Sequence, residues 1–141
     1  TVCVSYIVAS VSCRYDPILV FEAAALTSAV VVGITVYAYT TKTDFTVCGP
    51  MMFIMFFVFV TASILFVCFS NTIGFKAANF GLAVLGAFLF SFYLLCDTQM
   101  IIGGKNRRYQ ISEEDYILAA VILYLDIINL FLEILKALGN R

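Results

Sequence analysis

Two acidic residues stand where acids are expensive. Asp126 lies in the middle of the apolar run ILAAVILYLDIINLFLEIL, and Asp97 lies near the end of the preceding run, AVLGAFLFSFYLLCDTQMII. Both runs are long enough to cross a bilayer. A carboxylate at the bilayer centre costs roughly 2.5–3.5 kcal/mol on insertion scales, so it is found with a partner or a water-filled cavity. Two such acids on consecutive spans suggest a site that handles protons or cations. If they meet, they cannot both ionise cheaply, and the pair shares one proton. Losing that proton leaves negative charge that attracts a cation or an arginine, which is the logic of a pH-gated cation path. The alternative at this point is a buried acid satisfied by a neighbouring hydroxyl, with no transport role.

Other polar residues cluster around these two. Asp126, Asn129 and Glu133 are spaced i, i+3 and i+7, which places them on one helix face that lipid cannot satisfy. Tyr93 and Asp97 are i and i+4, so the phenol could reach the carboxylate. Glu22 lies about one turn into its own span, near enough to an interface to snorkel or meet water. A short loop makes the last two helices antiparallel neighbours. At 1.5 Å per residue, Asp97 is roughly 8 Å from the end of its helix and Asp126 roughly 16 Å from the start of its own. The carboxyls therefore need a longer first helix, a tilt or an axial offset to meet.

The elements that carry these residues are helices in a membrane. The chain has 141 residues, 63% hydrophobic and 12% charged, with a mean hydropathy of +1.05. A soluble domain is about half apolar and about a quarter charged. The expected fold is all-α: a polytopic transmembrane bundle with about four spans and a remnant, forming a single domain over residues 1–141. Continuous apolar runs without ten-residue alternation exclude a membrane barrel. A net charge of −1 leaves no basic footprint for nucleic acid. Cys3, Cys13, Cys48, Cys68 and Cys96 are scattered, and there is no histidine. Neither a disulfide framework nor a tightly bound metal is expected, and no cofactor.

TVCVSYIVASVSC is too short to span and lacks the charged flank of a signal peptide, so it reads as the back half of a helix in an N-terminally truncated chain. Spans are expected from Ile18 to Thr40, over MMFIMFFVFVTASILFVCFS, from Ala77 to Ile102 and from Tyr116 to Leu138. The connections are Arg14–Pro17, Thr41–Phe45 with Gly49-Pro50 at the next helix entry, Asn71–Lys76, and the glycine-rich basic loop Gly103–Arg108. Pro17 suits a first helical turn, and Ser112-Glu113-Glu114-Asp115 fits a capping box. Basic residues number four on each side of the membrane, and the cluster Lys105, Arg107 and Arg108 points to its side as cytosolic. Met51, Met52 and Met55 beside Cys48, and the phenylalanines from Phe53 to Phe59, read as packing or lipid-facing residues. Gly81, Ala83, Gly86 and Ala87 read as a small-residue patch for close helix packing.

Three segments resemble a known family. Cys96-Asp97-Thr98-Gln99 resembles the YDTQ signature of the transmembrane Bax-inhibitor-motif family. Ser112 through Ala120 is similar to its S-x-E-[ED]-Y-x-x-A-A segment, and Tyr124 through Phe131 to its Y-x-D-I-I-N-[LI]-F run. Ala25-Leu26-Thr27 and Thr41 through Thr46 resemble the Lifeguard branch. The resemblance implies a seven-helix bundle around a central last helix, with this chain supplying the end of the third helix through the seventh. It implies cytoprotective proteins of the endoplasmic reticulum or Golgi that suppress cell death and leak calcium in a pH-dependent way. An aspartate pair matching Asp97 and Asp126 would be the pH sensor, latched by an arginine on the second helix. Cys96 departs from the usual tyrosine, removing a hydroxyl beside the pair for which Tyr93 could compensate. The Gly103–Arg108 loop is longer than in the shortest members.

The expectation is thus a Lifeguard-like calcium leak in the lipid bilayer, gated by Asp97 and Asp126, with Asn129, Glu133, Tyr93 and Glu22 along the ion path. The shared proton closes the gate and its loss opens it. One rival is a non-conducting scaffold for apoptosis regulators or other membrane proteins. Another is an intramembrane aspartyl protease, which needs G-x-G-D and P-A-L motifs where this chain has Tyr124-Leu125-Asp126 and no P-A-L. No enzyme activity is expected.

Overall fold

The computed structural model describes residues 1–69, 75–105 and 108–140. The turn expected around Asn71, and Arg107 and Arg141 from the basic count, lie outside the described residues. The helices are α1 (Val2–Ser12), α2 (Pro17–Thr40), α3 (Gly49–Phe69), α4 (Phe75–Ile102) and α5 (Tyr116–Gly139), with single 3-10 turns at Thr46–Cys48 and Glu113–Asp115 leading into α3 and α5. Among the described residues there is no strand. The helices α2 to α5 are each long and apolar enough to cross a membrane. The protein is an integral, multi-pass bundle of helices. The 11 residues of α1 bury no side chain, and at about 1.5 Å per residue they fall short of a bilayer core of about 30 Å.

Local chemistry explains the boundaries. Pro17 is in the first turn of α2, where its missing N–H costs nothing. Ser112 caps the start of the last span, but its hydroxyl accepts from Glu114 N at 3.4 Å while Asp115 N bonds to the Ser112 carbonyl at 3.0 Å. The chain therefore enters through a 3-10 turn, and α5 proper begins at Tyr116. Inside the spans, hydroxyls bond back to the carbonyl four residues earlier: Thr27 to Ala23, Ser28 to Ala24, Thr61 to Phe57, Ser91 to Ala87 and Thr98 to Leu94. Lipid offers no other acceptor, so this is how a polar group survives there.

α4 packs against α5, α2 and α3, and α2 also packs against α5. Phe90 and Leu94 from α4 and Leu130 from α5 form the buried centre, with Val30, Val31 and Ile34 of α2 and Phe59 of α3 against it. Phe53 and Phe57 are exposed, as expected for lipid-facing rings. Phe59 departs from that expectation: its ring turns inward and meets Phe90 edge-on at 6.1 Å.

The α4–α5 pair has one antiparallel register. Near one end Ile101 shares a cavity with Ala119, Ala120 and Leu123. Further in, Gly86 faces Glu133, and at the far end Asn79 Nδ2 donates to Asn140 Oδ1 at 3.1 Å. The small-residue patch does its packing at Ala83, which is buried, and at Gly86. A Cβ on Gly86 would lie 2.8 Å from the Phe59 ring and 2.9 Å from the Glu133 carboxyl. Gly81 has open space instead. Gly86→Ala should therefore destabilise the bundle by about 1–3 kcal/mol through overpacking. Gly81→Ala should be neutral or raise stability by up to about 1 kcal/mol, since alanine is the better helix former. Thermal unfolding in detergent, read side by side, checks the contrast.

Candidate functional site

Asp97 and Asp126 are brought together. Their carboxyls lie within hydrogen-bonding reach of each other, and because ionised carboxylates only accept, such a bond needs one shared proton. Of the three ways they could meet, the structure uses axial offset. The start of α5 extends beyond the end of α4, which is why Ile101, next to the last residue of α4, borders Ala119 to Leu123. The loop makes this possible. Gly103 closes α4 by donating its N–H to Gln99 O at 3.0 Å, and Ile111 N returns to Met100 O at 3.0 Å. Gly103 has φ +64°, and a Cβ there would also press on Gln110 Oε1 at 2.8 Å, so the position needs glycine.

Asp126 is buried, and its Oδ2 has no hydrogen-bond partner among the described residues. An orphan carboxyl oxygen in a low-dielectric interior calls for a proton, a guanidinium or a cation. Asp97 is half-buried and borders a cavity of about 190 Å³ between α4 and the start of α3, shared with Thr46, Met52, Tyr93, Cys96 and Met100.

Two expectations about neighbours are corrected. Tyr93 does not give its hydroxyl proton to Asp97. It donates to Met52 O at 2.7 Å, tying α4 to α3. The Cys96 thiol, for its part, is 3.3 Å from Phe45 O and points at the α2–α3 loop. Tyr93 therefore does not supply, beside the pair, the hydroxyl that Cys96 lacks.

That loop contact is the part of the site that sequence reasoning missed. Gln99 is fully buried and grips the loop with both ends of its amide, accepting from Phe45 N at 2.9 Å and donating to Thr43 O at 3.1 Å. Asp44 Oδ1 accepts from Thr46 N at 3.0 Å and from Thr46 Oγ1 at 2.6 Å, while its Oδ2 accepts from Arg108 N at 2.8 Å. Tyr109 N then donates to Thr46 Oγ1 at 3.3 Å. The α2–α3 and α4–α5 loops are thus pinned together two residues from Asp97. A glutamine inside an apolar span was the available signal, since its amide must find partners there.

The other candidates divide. Asn129 is half-buried on the Asp126 face. Glu133 is buried on that face but serves a different place: it pairs with Lys136 at 2.8 Å and borders a cavity of about 360 Å³ with Phe59, Ser63, Asn79 and Ala83. Glu22 is half-buried on α2. Gln99 holds Thr43 and Phe45, so the end of α2 lies beside Asp97 and Glu22, well back along the same helix, is toward the Glu133 end, on the order of 25 Å along the bundle from the aspartates. The three methionines also divide, with Met52 buried beside Asp97 and Met51 and Met55 exposed. Among the described residues, no group of three or more His, Cys, Asp or Glu could hold a metal.

The whole of residues 1–141 matches the family model described as "Inhibitor of apoptosis-promoting Bax1". The chain belongs to the Bax-inhibitor family. An uncharacterised protein of Campylobacter jejuni is 42% identical over 123 residues, covering 87% of this chain and 48% of that protein. Mouse protein lifeguard 4 is 37% identical over 134 residues, covering 95% and 52%, and mouse protein lifeguard 3 is 31% identical over 144 residues, covering 100% and 45%. The chain spans about half the length of these curated relatives.

Gln99→Leu would strand the Phe45 N–H and the Thr43 carbonyl, at a cost of about 1–3 kcal/mol for each group left buried and unpaired. Its expected signature is local. Amide exchange at residues 43–46 and 108–109 should speed up while the α4–α5 core stays protected, measured by hydrogen–deuterium exchange.

Proposed function

We propose that the protein is a pH-sensitive calcium leak channel of endomembranes, endoplasmic reticulum or Golgi, with a cytoprotective role, and that Asp97 and Asp126 are its gate. The observation that carries this reading is the facing pair of carboxyls on consecutive spans, with Asp126 Oδ2 buried and unpartnered. While the pair holds one proton, its charge is small enough for a membrane interior and the path stays shut. As pH rises and that proton leaves, two negative carboxylates at close range become a strong site for a divalent cation. Calcium is then the transported substrate and is drawn to the gate by the same charge that opens it.

The rest of the polar stripe extends the route. Tyr93 borders the Asp97 cavity, Asn129 continues the Asp126 face, and Glu133 and Glu22 serve the other end of the bundle. Passage down a gradient makes and breaks no covalent bond, so the reading is non-enzymatic and needs no cofactor. The family description, an inhibitor of apoptosis-promoting Bax1, and the lifeguard relatives support the cytoprotective part. Apoptosis regulators or other membrane proteins are the proposed partners.

The test is calcium flux through the full-length protein in liposomes between about pH 5 and pH 8. Flux should rise several-fold with pH in the wild type, and Asp97→Asn or Asp126→Asn should flatten the profile while the protein stays folded. Absent flux, or a profile that both variants leave unchanged, would make the pair structural and bring forward a non-conducting scaffold.

A further inference from the structure

Seven residues beyond Asp126, about 10 Å along α5, a second acid is buried in the membrane with its own cation already attached. Glu133 Oε1 is 2.8 Å from Lys136 Nζ, and the two side chains differ sharply in exposure, 9% for Glu133 and 44% for Lys136. The acid is held and the base is loose. The Glu133 carboxyl approaches Gly86 so closely that a Cβ there would collide with it, and the Phe59 ring closes the same spot. Lys136 is in the last turn of α5, where a flexible stem can carry its ammonium out to the membrane surface.

The cavity that Glu133 borders is about 360 Å³ and offers further oxygens. Ser63 gives its proton to Phe59 O at 2.8 Å and keeps its lone pairs. Asn79 commits its amide nitrogen to Asn140, which leaves its carbonyl oxygen to offer a ligand. A carboxylate, an amide oxygen and a hydroxyl are the hard-oxygen set that divalent cations such as calcium prefer.

We infer that Glu133, with Ser63 and Asn79, is a second divalent-cation station, and that Lys136 is a tethered cation occupying it. An ammonium at 2.8 Å stands where a permeant ion would bind, so the resting station is neutral and blocked. A divalent ion carries twice the charge of the ammonium and can draw on all three oxygens at once, and the flexible Lys136 stem can carry its head to the membrane surface as the ion enters. The role in conduction rests on the leak reading, whereas the binding site does not.

The test is direct binding of calcium, by titration calorimetry, to the purified full-length protein in detergent. Lys136→Met should tighten calcium binding by about tenfold or more, and adding Glu133→Gln should abolish that gain. Lys136→Arg, which keeps a tethered cation, should bind like the wild type. Because Lys136→Met leaves a buried carboxylate unpaired, its thermal stability should fall without calcium and recover with it, a rescue absent from the double variant. Binding that Lys136→Met leaves unchanged, or a gain that survives Glu133→Gln, would overturn the station. Flux plays no part in this readout. A protein that binds as stated yet conducts nothing would leave the station standing and remove the leak, and pH-gated flux without the binding change would do the reverse.

Discussion

The antiparallel register of α4 on α5 is the constraint on which the polar chemistry depends. Side chains on the two helices face each other level by level: Ile101 with Ala119 to Leu123, Asp97 with Asp126, Gly86 with Glu133, and Asn79 with Asn140. A slip of one residue on α5 would turn its face by about 100° and carry Asp126 away from Asp97. The register is held at three kinds of contact. Asn79 and Asn140 pair at one end, Gly86 permits the close approach midway, and the returning loop fixes Ile111 to Met100 at the other end. Apolar packing through Phe90, Leu94 and Leu130 supplies adhesion but would tolerate other registers. The polar and glycine contacts choose among them.

The loop clamp extends this positioning to the neighbours of Asp97. Gln99 is two residues from the acid, so the amide that grips Thr43 and Phe45 also fixes the turn of helix that presents the carboxyl. Cys96, on the other side of Asp97, touches the same loop at Phe45 O. Residues that flank the acid in sequence thereby hold the scaffold around it, while the acid itself faces Asp126. That division is economical in lipid, where each polar atom needs a partner and only one acid is left to find its partner across the helix pair.

The two acids of α5 are handled in opposite ways. Asp126 is matched with another acid and keeps an orphan oxygen, whereas Glu133 is matched with a lysine from its own helix. The first arrangement sets one carboxyl against another and the second sets a carboxyl against an ammonium, so the stripe from Asp126 to Glu133 is not one uniform polar groove. Glu133 borders a cavity with Ser63 and Asn79, whereas Asp97, the neighbour of Asp126, borders a different one.

Composition and apolar run length were sufficient for the membrane class, and four spans begin within two residues of where Pro17, Gly49-Pro50 and the hydropathy place them. The resemblance in the Cys96–Gln99 and Tyr124–Phe131 segments was equally readable, because those motifs are local strings. What each polar residue touches was not. Tyr93 and Asp97 are at ideal i, i+4 spacing, yet Tyr93 bonds to Met52, forty-one residues away. Phe59 belongs to an outwardly lipophilic run, yet packs inward on Phe90. Helical spacing determines which side chains share a face, and it does so from sequence alone. Which face meets which neighbour, and at what axial offset, depends on loops folding back and on one glycine admitting a carboxyl. Those are long-range choices that only the packed helices make.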